Sequence, residues 1–324
     1  MKAVVQQRYG EADVLELQET DPPEIGPDEV LVRVHAAGVD PGVWHLMAGL
    51  PYPVRLASGL RTPRRPVPGT DAAGRVERVG RDVTAFRPGD EVFGNCEGAF
   101  AEYARARADR LATKPAGLTF EQAAALPVSG CTALQALRDT GRLRAGQQVL
   151  VIGAAGGVGS YAVQLAKALG AEVTGVCSTG KTELVRELGA DRVLDYTREE
   201  ITEGGHRYDL ILDTAGNRPL GLLRGALTPR GTLVIVGGEG GGTWLQGIDR
   251  QLRAAVLSPF VGQRLRTLLA RTTAEDLRLL AEAAEEGRLV PVLDRTYPLA
   301  EAAAAVRHVH GGHARGKVVL TVAA

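Results

Sequence analysis

The rhythm of apolar and polar positions changes along this chain. Up to Thr119 the sequence reads as short alternating segments, KAVVQQ, VLVRVHAAGV, AAGRVERVG, DEVFGN and AFAEYARA, broken by Gly and Pro. Alternation bounded by turn formers predicts half-buried strands, and a succession of them predicts a compact antiparallel β domain. At Thr119 the texture shifts. Thr119 with Gln122 forms a capping box ahead of the helical run EQAAALPVSGCTALQALRD. From Gln147 the apolar strands QQVLVIGA, EVTGVCS, DRVLDY, DLILDTA and GTLVIVGG alternate with the amphipathic segments VGSYAVQLAKALG, KTELVRELG and LGLLRGAL. That order predicts a doubly wound α/β domain, with a parallel sheet covered by helices on both faces. Beyond Phe260 the pattern predicts a capped helix in TTAEDLRLLAEAAEEG, another in LAEAAAAVRHV and a last strand in KVVLTV. Residues 50–68, LPYPVRLASGLRTPRRPVP, read as a surface loop.

Composition narrows the partners. The 324 residues are 44% hydrophobic, enough for a large core, and 38 Lys plus Arg balance 38 Asp plus Glu. No global field draws the chain to nucleic acid or to an anionic membrane, so a small neutral or amphipathic ligand is expected. The opening MKAVVQQRYGEADVLEL lacks a charged leader followed by an apolar stretch, and no apolar run approaches the ~20 residues of a membrane span, so the expected location is cytoplasmic. Cys96, Cys131 and Cys177 are odd in number and lack CxxC spacing, which argues for reduced thiols over a disulfide framework or a cysteine-rich zinc site.

The segment VLVIGAAGGVGSYAVQLAKALGAEV carries the most specific chemistry. Ala154, Gly156 and Gly159 occupy the three positions of a GxGxxG fingerprint where a buried strand turns into a helix. Gly156 lets backbone approach a pyrophosphate, Gly159 lets helix and sheet pack closely, and the helix N-terminus supplies amide donors. Ala154 departs from the first glycine, and Gly153 is expected to take over its turn. An NAD site would place Asp or Glu at the end of the second strand to hold the ribose 2′-hydroxyl. Here VTGVCSTGK offers Ser178, Thr179 and Lys181 instead, which suits the 2′-phosphate of NADPH.

Together PVPGTDAAGRVERVG, FRPGDEVFG, the GAAGGVG turn and ELGADRVLDY resemble the zinc-independent quinone oxidoreductase branch of the medium-chain dehydrogenase/reductase superfamily, over nearly the whole chain. The resemblance implies a GroES-like catalytic domain from residues 1–122 and 261–324, an inserted Rossmann domain over residues 123–260, and an active site in the cleft between them. It implies cofactor contacts from Thr132, from Ala155, Gly156, Gly157, Val158 and Gly159 at the pyrophosphate, and from Ser178, Lys181 and Tyr196 around the 2′-phosphate. Thr214, Ala215, Val236, Gly237 and Gly238 would flank the nicotinamide, with Phe260 and Lys317 closing the site. Where zinc-dependent relatives carry metal ligands, this chain has Asp40 and Thr70, the latter within Gly69, Thr70 and Asp71, so no metal is expected. His308, His310 and His313 read as a solvated helix end.

Without zinc, hydride delivery suits an acceptor that spreads the incoming charge itself, a quinone or an α,β-unsaturated carbonyl compound. Asp40, His45 and Tyr52 are the candidate catalytic groups, with Tyr52 or His45 as proton donor; Trp44, His45 and Tyr52 read equally well as a pocket wall. Two other readings stand beside this one. An enoyl-thioester reductase would use Arg61, Arg64 and Arg65 to receive a phosphopantetheine arm, and a weakly catalytic NADPH-binding sensor or interaction protein would show little turnover. A homodimer joined through the edges of two Rossmann sheets is expected, because TLVIVGG and the following RAAVLSPF end a sheet that would otherwise expose backbone donors and acceptors.

Overall fold

The computed structural model describes residues 1–237, 244 and 247–322. Two compact units result, Met1–Cys131 with Thr272–Ala324, and Thr132–Arg271. Both boundaries fall later than residues 122 and 260. The helix Phe120–Ala124 packs on the strands of the first unit and stays with them. Its capping box forms as the sequence reads: Gln122 N donates to Thr119 Oγ1 at 3.2 Å and Thr119 N donates to Gln122 Oε1 at 3.0 Å. The helical run that follows is interrupted, because Pro127 opens a new helix, Pro127–Gln135.

The first unit is built on β1 (Lys2–Val5), β2 (Glu16–Glu19), β3 (Glu29–Val39), β4 (Asp71–Val79), β5 (Glu91–Asn95), β6 (Tyr103–Arg107) and β7 (Leu111–Thr113). The second unit supplies β8 (Gln148–Ile152), β9 (Glu172–Cys177), β10 (Arg192–Asp195), β11 (Tyr208–Asp213), β12 (Leu227–Ile235) and β13 (Arg264–Thr267). The chain's end returns β14 (Leu293–Pro298) and β15 (Lys317–Thr321) to the first unit. There the main sheet runs β14-β15-β3-β4-β5-β7, with β6 paired to β3, and β1 pairs with β2 alone. Strand β3 is central: its Val30, Val32 and Val34 point into a core shared with Trp44, Met47, Phe100 and Val306. Residues 50–68, expected as a loop, include the short helix Arg55–Ser58.

In the second unit the order β10-β9-β8-β11-β12-β13 is parallel throughout. Helices cover both faces, so β8 buries Val149, Leu150, Val151 and Ile152 in succession rather than alternately. The sheet does not end at β12. RAAVLSPF lies in the helix Ile248–Leu257 and the turn Ser258–Phe260, after which β13 adds a further parallel strand beside β12. Its sequence, RLRT, carries one apolar residue and so leaves no hydrophobic run to read.

Candidate active site

Each unit carries its own set of functional groups. In the second, β8 delivers the chain to Gly153 at φ 81°, the left-handed turn that the fingerprint's first position requires. Gly153 N and Ala154 N both donate to Val176 O, at 3.1 and 3.0 Å, which ties the turn to the end of β9. The side chains of Ala154 and Ala155 are buried. Gly156 then caps the helix Gly157–Ala168 and makes no side-chain capping hydrogen bond there. A Cβ at Gly159 would lie 2.0 Å from Gly153 O, so only glycine allows the helix to begin this close to the strand. Backbone amides at Gly157 and Val158, with the positive end of the helix dipole, form a cradle that fits a pyrophosphate.

At the end of β9 the structure modifies the sequence reading. Ser178 precedes the turn Thr179–Lys181 as expected, but the Thr179 hydroxyl donates to Asp195 Oδ2 at 2.5 Å. Asp195, register partner of Cys177 across β9 and β10, is an acid that sequence reading passed over. Thr197 occupies its other oxygen through both N, at 3.0 Å, and Oγ1, at 2.8 Å. The Thr179 hydrogen bond comes first among the causes that hold this carboxyl below its usual range. Tyr196 is half exposed, with the Arg218 guanidinium 5.9 Å from its ring centre. Arg198 stands 3.6 Å from Asp195.

The C-terminal ends of β11 and β12 place the next predicted residues side by side. Thr214 donates to Ile152 O through N, at 3.1 Å, and Oγ1, at 2.7 Å, while Val236 N and Gly237 N donate to Asp213 O at 3.0 and 3.3 Å. Ala215 is partly buried beside them. Gly238 lies outside the described residues. Thr132 is buried in the helix Pro127–Gln135, and Phe260 is 82% exposed.

Lys317, expected to close the site, lies in the first unit. It is 2% exposed, donates from Nζ to Ser129 Oγ at 3.0 Å, and stands 3.9 Å from Asp71 Oδ2 inside the first unit. Asp71 is fully buried and accepts from Val128 N at 3.3 and 3.1 Å. Gly38 of β3 lies in the sheet between β4 and β15, opposite Asp71 on one side and Val319 on the other, and a Cβ there would sit 2.9 Å from Asp71 Cβ. Asp71 and Lys317 are far apart in the chain, and no local pattern pairs them. Burial pushes the Asp71 carboxyl up to about 8, with Lys317 opposing and Asp40 reinforcing the rise. Burial first, and then Asp71, raise the Cys96 thiol to about 12.

Asp40 caps the helix Pro41–Ala48, accepting from Gly42 N at 2.8 Å through Oδ1, and its buried Oδ2 has no hydrogen-bond partner among the described residues. His45 Nδ1 lies 3.0 Å from Leu50 O and must donate to it, which leaves Nε2 of a neutral ring as an acceptor. The Arg55 guanidinium sits over the ring of Tyr52 at 4.9 Å. These donors do not fit a catalytic zinc. Asp40 has one oxygen committed, Thr70 is a neutral hydroxyl, and no group of three His, Cys, Asp or Glu side chains converges among the described residues. His308 binds Asp294 Oδ2 at 2.6 Å and His310 stacks on Trp44 at 4.0 Å. Arg65 pairs with Glu97 at 3.1 Å, so one of the three loop arginines is already engaged.

Comparison with known proteins agrees with this architecture. Residues 26–116 match the family described as alcohol dehydrogenase GroES-like domain, and residues 188–320 the one described as zinc-binding dehydrogenase. An NADPH-dependent alkenal/one oxidoreductase, chloroplastic, of Arabidopsis thaliana is 35% identical over 335 residues, covering 99% of this chain and 79% of its own. The mitochondrial NAD(P)H oxidoreductase RTN4IP1 of Mus musculus is 34% identical over 359 residues, covering 99% and 89%. The solved quinone oxidoreductase from Coxiella burnetii superposes with a TM-score of 0.85 at 30% identity, over 100% of this chain and 99% of that one. The chain therefore belongs to the quinone oxidoreductase branch of the medium-chain dehydrogenase/reductase superfamily and is an oxidoreductase that uses a nicotinamide cofactor. No helix among the described residues is long and apolar enough to cross a membrane.

Asp71 gives this site a pH signature. A carboxyl raised from 3.8 in the unfolded chain to about 8 in the folded one keeps its proton only when folded, so folding stability falls as pH rises through that window. Asp71→Asn removes this slope. In urea unfolding at pH 5 and pH 8, the wild type should lose stability relative to the variant at the higher pH; parallel behaviour would show that Asp71 titrates normally.

Proposed function

We propose that this protein holds NADPH at the Gly153–Gly159 turn and delivers its hydride to a quinone or an α,β-unsaturated carbonyl compound without zinc. The observation that carries the reading is the uncapped helix N-terminus at Gly156, set at the C-terminal edge of a parallel sheet. When bound, the nicotinamide supplies a hydride to an electrophilic carbon. The chain's own residues bind and orient. Gly156, Gly157 and Val158 present amides to the pyrophosphate; Ser178, Lys181 and Tyr196 take the 2′-phosphate; Thr214, Ala215, Val236 and Gly237 border the nicotinamide. Asp195 cannot compete for the ribose, because Thr179 and Thr197 already bond it. Tyr52 donates a hydrogen bond or proton to the developing enolate, and Asp40 fixes the start of the helix that carries His45.

The acceptor class follows from charge. A saturated carbonyl needs strong polarisation as hydride arrives, and Asp40 and Thr70 make poor metal ligands. A conjugated acceptor delocalises the charge unaided. The named activity of the Arabidopsis relative on alkenals and alkenones supports this reading.

A homodimer is also proposed. Strand β13 is the free edge of the sheet, a groove of about 470 Å³ runs along it between Ala255 and Thr267, and Leu252 and Val256 are exposed on the adjacent helix. Light scattering at micromolar concentration should give twice the chain mass, and a monomer there would refute it.

Cofactor preference is tested by Lys181→Ala, which should weaken NADPH by about tenfold or more and leave NADH nearly unchanged. Equal loss for both, or a wild type that prefers NADH, would overturn the 2′-phosphate assignment. Acceptor class is tested by NADPH oxidation at 340 nm with chelator-treated protein. Cyclohexenone and a benzoquinone should be reduced and cyclohexanone should not; efficient reduction of cyclohexanone, or activity that returns only with zinc, would sink the proposal.

A further inference from the structure

Arg55 opens the short helix Arg55–Ser58, in the stretch that reads from sequence as a surface loop. The side chain is partly buried, and its contacts converge on one guanidinium. Cζ stands 4.5 Å from the centre of the Tyr9 ring and 4.9 Å from that of Tyr52, and Nε donates to Gly49 O at 3.0 Å. Both rings lie within the distance at which an aromatic face attracts a cation. Ordering a long loop side chain in this way costs rotamer entropy, which extension into water would have avoided.

The groups that Arg55 touches are themselves fastened. The Tyr9 hydroxyl donates to Gly59 O at 2.6 Å and lies 2.8 Å from Ser58 Oγ, which ties that ring to the far end of the same short helix. Gly49 ends the helix Pro41–Ala48 in the left-handed conformation, at φ 63°. A Cβ there would lie 2.7 Å from Arg55 Nε and 2.6 Å from Tyr9 Cδ1, so the close approach of all three depends on glycine.

This cluster joins the two elements that carry the candidate catalytic groups. Asp40 and His45 stand at the two ends of the helix Pro41–Ala48, whereas Tyr52 follows it in the turn Tyr52–Val54 with its ring 37% exposed. A ring on a turn swings about χ1, but a proton donor works only when held close to one geometry. Arg55 bonds the end of the helix and stands over the Tyr52 ring, so it links the two directly.

We propose that Arg55 is a positioning residue for the reaction, fixing the Tyr52 phenol relative to the helix that carries His45. This rests on the reading of Tyr52 as the group that donates to the developing enolate. The guanidinium suits the task, because its flat face stacks on rings while an N–H in its plane bonds a carbonyl, which a compact ammonium does less rigidly.

Arg55→Met keeps the apolar stem and removes the charge and the Nε donor; Arg55→Lys keeps a cation; Tyr52→Phe keeps the ring and removes the hydroxyl. For each, and for Arg55→Met combined with Tyr52→Phe, the single-turnover rate of NADPH oxidation by saturating cyclohexenone is measured at 340 nm, with the Kd for NADPH and the melting temperature. Arg55→Met should lower the rate about tenfold with the Kd near wild type, and Arg55→Lys should recover about threefold of that loss. With Tyr52→Phe already present, Arg55→Met should cost nothing further, because the hydroxyl it positions is gone. Losses that multiply in the double variant overturn the proposal and mark Arg55 as structural, as does an unchanged rate in Arg55→Met. The same cycle with Arg55→Lys decides the matter if Arg55→Met does not fold. A full rate in Tyr52→Phe would instead remove the donor reading, and this inference with it.

Discussion

Gly159 and the carbonyl of Gly153 cannot be moved apart without unmaking the cofactor half. Helix and strand meet there at a distance that excludes even one methyl group, and that closeness is what aims the first amides of Gly157–Ala168 at a common point. The neighbouring contacts reinforce it: Val176 O receives two amides from the turn, and Thr214 holds Ile152 O from the far side. Three adjacent strands are thereby stitched at their C-terminal ends by backbone groups, to which the Thr214 hydroxyl adds one side-chain bond. A rigid main-chain cradle of this kind needs no reorganisation when an anion arrives.

The first unit solves a different problem. Asp71, Lys317 and Ser129 place a carboxyl, an ammonium and a hydroxyl among apolar strands, an arrangement that replacement by well-packed hydrophobes often matches in stability. Its effect is to fix geometry: Asp71 holds Val128 N and Lys317 holds Ser129, so β4 and the returning β15 grip the start of the same helix. Removing either partner alone would strand the other in the core.

Much of this was legible in the sequence, because the signals were local. The Gly153–Gly159 turn, the capping box at Thr119 and the alternation of strands and helices after Gln147 each follow from residues within one or two turns of one another. The misreadings arose where the deciding partner was distant or weakly patterned. Thr179 counts as a ligand hydroxyl until Asp195 is brought beside it by strand pairing. Lys317 reads as a group that closes the site, and its pairing with Ser129 and Asp71 appears only once β15 joins β3. The parallel sheet runs one strand beyond β12, and RLRT hides that strand because it has charges where a strand usually shows apolar residues.

Asp195 has a consequence for how such chains are sorted. Its carboxylate stands beside the turn Thr179–Lys181, where two threonine hydroxyls and an amide bond it. An acid can therefore stand at the end of a strand and be engaged by its own chain. Motif scans that assign cofactor class by counting carboxylates at strand ends would be misled by homologues that differ only at positions 179 and 197, where loss of a hydroxyl would release a charge already in place. Divergence between the two cofactor classes could then proceed without any change in the number of acidic residues.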